Sequence, residues 1–333
     1  MHMADALVSP AVAACGAIIS VAALIVAANK VKKSDSTNIV PLMGVVGAFI
    51  FAAQMINFSI PGTGSSGHIV GGVLAAALLG PWAGLITVAS VLIVQCLVFA
   101  DGGLMAIGCN ILNMGICTIF IGYALVYRWI AGRSLKPWRI FVGAILGCIV
   151  GLEAGAVLVT AETEMSGITA LNWQQFLALM TSIHFAIGAG EGIATGFLLY
   201  FVARTRPSLL LHEAPTTAQA KEGKTLRPVM LVLGGLALIF GITFTWIASS
   251  HPDGLEWSIE RLTGSTDIIN GTAAATRSVF ANVQGATSVL PDYDSTWSGI
   301  IGCTMVVILT WAILTCMRHR RHATQTVKQI SRQ

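Results

Sequence analysis

Apolar runs long enough to cross a lipid bilayer recur from one end of this 333-residue chain to the other, and that recurrence leaves few folds open. About 20 consecutive apolar residues wound as a helix span the ~30 Å hydrocarbon layer. Inside that layer every backbone amide must be satisfied within the protein, which helices do by themselves. Charged residues make up only 10% of the chain, against about 25% in a soluble domain. The expected fold is therefore an all-α polytopic membrane protein embedded in a lipid bilayer.

Nine runs stand out, at about 10–29, 40–58, 68–80, 83–100, 104–127, 140–160, 173–203, 228–249 and 297–317. Lys and Arg placement orients them, because cytoplasmic loops collect basic residues. With Met1 outside, the basic groups Lys30/Lys32/Lys33, Arg128/Arg133/Lys136/Arg139 and Arg204/Arg206/Lys221/Lys224/Arg227 all fall inside, as does the tail Arg318-His319-Arg320-Arg321. Asp101, Glu162, Glu164 and the long stretch after Ser250 then lie outside. The first run has Asp5 and no basic region before it, unlike a cleaved signal peptide. It is expected to be a retained helix with an extracellular N-terminus, in a multi-pass protein of a bacterial-type cell membrane whose C-terminus is cytoplasmic.

Composition divides the chain. Residues 207–227 turn polar, with Ser, Thr, Glu, Lys and proline, and suit a cytoplasmic linker. Before them, residues 1–206 form a seven-span unit. After them, residues 228–333 hold two spans around an external loop of roughly 46 residues. The third run, about thirteen residues before Gly80-Pro81, is too short to cross the bilayer at 1.5 Å per residue. The segment Pro61-Gly62-Thr63-Gly64-Ser65-Ser66-Gly67-His68 ahead of it is expected to dip to membrane level, with His68 at the top of the third helix. The Gly and Ala residues that follow suit close helix packing.

Met1-His2-Met3 carries the chemistry. A second-position histidine offers a metal three nitrogens in one plane: the α-amine, its own deprotonated amide and its imidazole. A remote imidazole would close the square, and square-planar nitrogen suits Ni(II) or Cu(II). His68 is the first candidate. Binding should weaken as pH falls, because metal ligands must be deprotonated. The seven cysteines form no CxxC pair and suit small buried apolar positions. No GK[ST] phosphate loop and no HExxH motif occurs, so neither an ATPase core nor a zinc protease is indicated.

Ionisable groups within spans cost about 2.5–3.5 kcal/mol at a helix centre and mark functional suspects. Glu153, His184 and Glu191 are the clearest; Glu153 and His184 fall at similar depth, where they could pair. Gln54, Asn57, Asn110 and Asn113 fall at the depth expected for His68. They would either orient the histidines, as outer-shell groups do, or bond across helices.

Several segments together carry a family resemblance: Met1-His2-Met3-Ala4-Asp5-Ala6-Leu7, Pro61 to Gly84, Phe99-Ala100-Asp101-Gly102-Gly103, Asn110 to Gly115 and His184 to Thr195. Over about 1–205 the chain resembles the substrate-binding membrane subunit of cobalt and nickel energy-coupling-factor transporters. Pro252-Asp253-Gly254-Leu255-Glu256 is similar to the small two-span auxiliary subunit that accompanies it. The resemblance implies a seven-helix bundle into which the N-terminus folds back, with metal held by Met1, His2 and His68. It also implies partners, a transmembrane coupling subunit and two cytoplasmic ATPases. Family members usually begin Met-His-Ile-Pro-Asp-Gly, and here Ala4-Asp5-Ala6 replaces the proline turn.

The function expected is capture of Ni(II) as transported substrate for an ATP-driven importer, with Co(II) (for cobalamin synthesis) as the alternative ion. No resident cofactor, no catalysis and no nucleic-acid partner are expected. A proton-coupled secondary transporter relaying through Glu153, His184 and Glu191 is the rival mechanism.

Overall fold

The computed structural model describes all residues except 34–38, 133, 211–225, 267–273, 294, 296 and 331–333. Most of the 207–227 segment, together with Arg133, Lys221 and Lys224, thus lies outside the described residues. The first unit contains α1 (Pro10–Lys33), α2 (Ile39–Met55), α3 (Gly72–Leu79), α4 (Pro81–Phe99), α5 (Ile107–Ala131), α6 (Pro137–Ser166) and α7 (Trp173–Thr205). The second contains α8 (Arg227–Ile247), the short α9 (Gly254–Thr263) and α10 (Ala274–Thr287), and α11 (Ser298–Ile330). The nine expected runs appear in order as helices, giving a seven-helix membrane bundle with two further transmembrane helices. Pro81 and Pro137 occupy the first turns of α4 and α6, where a missing N–H costs nothing.

Three boundaries differ from the hydropathy reading. Helix α2 stops at Met55, and Phe58–Ile60 (β1) pairs antiparallel with Ser65–Gly67 (β2) in a small hairpin. His68 therefore stands in a loop four residues ahead of α3, not at the top of that helix. Gly71, with φ +80°, makes the turn into α3, a backbone conformation open to glycine and strained for other residues. Helix α6 runs on to Ser166, so Glu162 is buried on a helix rather than placed in a loop.

Small residues let the helices touch. A Cβ added to Gly188 or Gly192 of α7 would stand 2.7 Å or 2.4 Å from the Cα of Ile149 or Ile145 on α6. Lipid supplies no hydrophobic drive between helices, so such close backbone contact carries the association. In the second unit, α8 and α11 meet at Gly241 and Gly299, where an added Cβ on Gly241 would lie 3.2 Å from the Gly299 carbonyl carbon. Both pack on α2. Most of α5 (Ile111–Tyr127) is wound as a π-helix, a rare form that clusters at functional sites.

Candidate metal-capture site

At one end of the bundle the N-terminal arm runs inward, with Met1 2% and Met3 0% exposed. Backbone and amide groups hold it there. The Met3 N–H donates to Asn110 Oδ1 (2.7 Å), Asn110 Nδ2 donates back to the Met3 carbonyl (3.1 Å), and the Gly103 N–H donates to that same carbonyl (2.8 Å). Asp5 follows, in a single 3-10 turn (Asp5–Leu7), and its Oδ1 accepts the Ala106 N–H at 3.0 Å. The arm thus folds back with Asp5 pinning the bend.

The α-amine of Met1 lies 2.5 Å from Asp253 Oδ2. That carboxylate is itself fixed: its Oδ1 accepts the Leu255 and Glu256 N–H groups (2.8 and 2.9 Å) as the N-cap of α9, and Glu256 returns the capping-box bond. Burial alone would raise the Asp253 pKa, but the charge and hydrogen bond of the terminal ammonium, with His68 and the Glu256 N–H, together outweigh it and hold the carboxyl well below its usual range. The hairpin helps seat this segment: the Ser66 N–H donates to the Pro252 carbonyl (2.8 Å), and Trp257 Nε1 to the Thr63 carbonyl (3.0 Å).

The His2 and His68 rings stack, with centroids 5.2 Å apart and planes 29° from parallel. His2 Nδ1 faces Asp101 Oδ1 at 3.3 Å, and its Nε2 faces Gln95 Oε1 at 3.2 Å. Asp101 in turn accepts the Tyr293 hydroxyl at 2.6 Å, and Tyr293 stacks on Phe99. His68 Nδ1 is buried with no hydrogen-bond partner. Burial first, then the charges of the terminal amine and His2, push the His68 pKa well below its ordinary value.

The expected supporting residues fall into three groups. Gln54 and Glu191 hold the backbone just after His68: Gln54 Nε2 donates to the Val70 carbonyl (2.8 Å), and Glu191 accepts the Val70 and Gly71 N–H groups (2.8 and 2.9 Å). Asn110 and Asn113 bond across to the arm and to α6, where Asn113 Nδ2 meets Glu162 Oε2 at 2.7 Å; neither bonds a histidine. The Asn57 carbonyl accepts the Ser249 N–H (2.7 Å), tying the two units together. Glu153 and His184 do not pair. His184 Nδ1 donates to the Met180 carbonyl of its own helix (2.7 Å), and neither His184 Nε2 nor Glu153 Oε1 has a partner. His184 still reaches the site, lining a small pocket with Met1, His68 and Asp253. Equal depth on adjacent helices did not mean facing sides.

Sequence reasoning passed over Gln95, Asp253 and Tyr293 as site residues. Gln95 carried a signal, a long amide inside the otherwise apolar Val91–Phe99 stretch. Asp253 stood in the Pro252–Glu256 segment that carried a resemblance, with nothing there to tie it to the N-terminus, and Tyr293 carried no signal; their partners lie 252 and 192 residues away.

Residues 2–209 match the family described as cobalt uptake substrate-specific transmembrane region, and residues 227–319 match the PDGLE domain. The chain is 33% identical over 252 residues to a putative fused nickel transport protein NikMN of Archaeoglobus fulgidus, covering 76% of this chain and 80% of the relative. It is 31% identical over 278 residues to the fused nickel transport protein NikMN of Rhodobacter capsulatus, covering 79% and 77%. A cobalt transport protein CbiM of Clostridium tetani is 29% identical over 208 residues, covering 61% and 85%. Among solved structures, a truncated transition metal transporter superposes with a TM-score of 0.55 at 32% identity, over 61% of this chain and 99% of the other.

Proposed function

This chain belongs to the cobalt-uptake substrate-specific transmembrane family, with a PDGLE domain fused behind it, and from that membership we propose that it captures Ni(II) for an ATP-driven importer. As a multi-pass membrane component of transition-metal transport it would bind and reorient, while a transmembrane coupling subunit and two cytoplasmic ATPases supply the work. On this reading the chain catalyses nothing itself. Met1 faces the outside, the C-terminus the cytoplasm, and residues 1–206, 207–227 and 228–333 act as binding domain, linker and auxiliary domain.

One observation carries the reading: the buried α-amine, the His2 ring stacked on His68, and a bare His68 Nδ1 are gathered at one point. The ion would take the amine, the His2 amide and imidazole, and His68. Two of those donors, the amine and His2 Nδ1, now face the carboxylates of Asp253 and Asp101. Loading exchanges those partners for the ion, and the deprotonated donors it requires make affinity rise with pH. Four in-plane nitrogens favour low-spin Ni(II); Zn(II) tends to tetrahedral sites. Co(II) is the alternative cargo, and both nickel and cobalt transport proteins occur among the relatives. The proton-relay reading loses its first link, since Glu153 and His184 do not meet.

The test is calorimetric titration of Ni(II) into the untagged chain, the chain carrying one extra N-terminal residue, and His68→Ala. Removing the amine or the imidazole should weaken binding by at least 100-fold. Unchanged affinity in the extended chain would overturn the chelate.

A further inference from the structure

The C-terminal end of α4 is finished by residues of the second unit. The last carbonyls of a helix have no partner within it. Here the Cys96 carbonyl accepts Gln284 Nε2 from α10 (3.0 Å), and the Val98 carbonyl accepts the Leu290 N–H (3.1 Å). The same Gln284 Nε2 also donates to the Gly102 carbonyl at 2.7 Å. One amide group thus bridges the helix end to the turn that follows it.

The N-terminal arm rests on that same turn. A Cβ added to Gly102 would come 3.3 Å from His2 Cβ and 2.9 Å from Asn110 Nδ2, and one added to Gly103 would run into Asp5. The Gly103 N–H holds the Met3 carbonyl, and Asp101 faces the His2 ring. Residues 101–103 therefore carry His2, Met3 and Asp5 while Gln284 grips their middle carbonyl. Bonds between packed units usually do no more than join them. The Gln284 bonds are not needed for that, because α8 and α11 pack on α2, Ser249 bonds Asn57, and Ser66 bonds Pro252.

We propose that Gln284 is a positioning residue for metal capture: by clasping the Gly102 carbonyl it holds the turn under the N-terminal arm, and so sets how long the ion stays. A chelated ion leaves one donor at a time, and a donor held in place rebinds before the next lets go. Holding a ligand group in its bound position strengthens binding by cutting the cost of ordering it. Loosening the turn frees the amine and the His2 nitrogens together, whereas the segment behind His68 keeps its own supports in Gln54 and Glu191. The nickel step rests on the chelate reading; the hold on the arm does not. The second unit then contributes retention of the ion, through a residue that acts at one remove from it.

Two measurements on the full-length, untagged chain in detergent test this. The first is hydrogen exchange by mass spectrometry without metal, which reads local opening. Gln284→Met keeps the bulk and removes the donors, so exchange in peptides covering residues 1–7 and 101–103 should quicken about five-fold, the scale of one hydrogen bond. Peptides of α6 and α7 should not change. Gln284→Lys, which restores a donor of similar reach, should return exchange toward wild type. Asn282→Ala, exposed on the same helix, should leave it as it was. The second measurement is Ni(II) release into excess chelator by stopped flow. Gln284→Met should release the ion about five-fold faster, with association and thermal midpoint unchanged. Unaltered exchange at the arm in Gln284→Met would overturn the proposal, and so would exchange raised equally in α6 and α7. A loosened arm with unaltered nickel release would overturn it too. If a chain with one extra N-terminal residue bound nickel as well as the untagged chain, the chelate would fall, and the exchange result alone would decide whether Gln284 holds the arm.

Discussion

The chain buries ionisable groups in two places, and what holds them differs. In the N-terminal arm the amine and the His2 ring each meet side chains from remote segments: Met1 meets Asp253, and His2 meets Asp101 and Gln95. Within the helices three polar groups are held mainly by backbone or by nothing, while Glu162, bonded by Asn113, is an exception. Glu191 accepts two amides, His184 bonds its own helix, and Glu153 Oε1 is unpartnered. Side chain to side chain pairs can be exchanged for a metal without unravelling an element. A carboxylate that terminates backbone amides cannot leave, so the first cluster is built to change partners and the second to keep them.

Glu191→Leu should break this contrast most severely. It leaves the Val70 and Gly71 N–H groups unpaired in a buried loop, at about 1–3 kcal/mol each, and releases the segment that follows His68. We expect a lower thermal midpoint in detergent together with loss of nickel binding. Glu191→Gln, which keeps one acceptor, should recover part of both. Equal midpoints for wild type and Glu191→Leu would show that the loop has another support.

Asp253→Ala tests the other side. The backbone around it is also held by the Ser66 bond to Pro252, so the fold should persist. The amine loses its positioning partner, and nickel affinity should fall about 10–100-fold, the usual cost of an outer-shell residue. Asp253→Glu should restore part of it. A variant that binds nickel more tightly would show instead that the carboxylate competes with the ion.

How much of this was legible follows the same division. Hydropathy found the spans but not what they face. Mean hydropathy is 2.5 for α1 and 2.2 for α4, yet 22% of the α1 window and 83% of the α4 window are buried. Lipid and protein interior are equally apolar, so the pattern cannot tell them apart. The Phe58–Gly67 hairpin escaped because its strands have three residues each and depend on a bridge to Asp253. His2 and His68 could be singled out as candidates by residue type and position, and the fold stacks their rings. Their orienting partners could not, since Asp101 and Tyr293 look like ordinary loop residues until the second unit folds over the first.

Tyr293→Phe should then give a smaller effect, confined to the arm. The lost hydroxyl bond to Asp101 frees a partly exposed carboxylate that water can serve, and the ring keeps its stack on Phe99. About 1 kcal/mol of positioning corresponds to roughly a five-fold weaker nickel affinity, with no change in thermal midpoint. A drop in midpoint without a change in affinity would make Tyr293 a packing residue only.

Glu153→Gln is the mildest and the sharpest discriminator between clusters. Its Oε1 has no partner to lose, and the amide removes a charge that a membrane disfavours. Nickel affinity should stay within two-fold, and stability should hold or rise slightly. Uptake in a strain with all partner subunits present should also continue with the proton gradient dissipated, provided ATP is maintained. If Glu153→Gln abolished uptake while leaving binding intact, the unpaired carboxylate would be a moving part of the transport step. The helix cluster would then no longer be the static member of the pair.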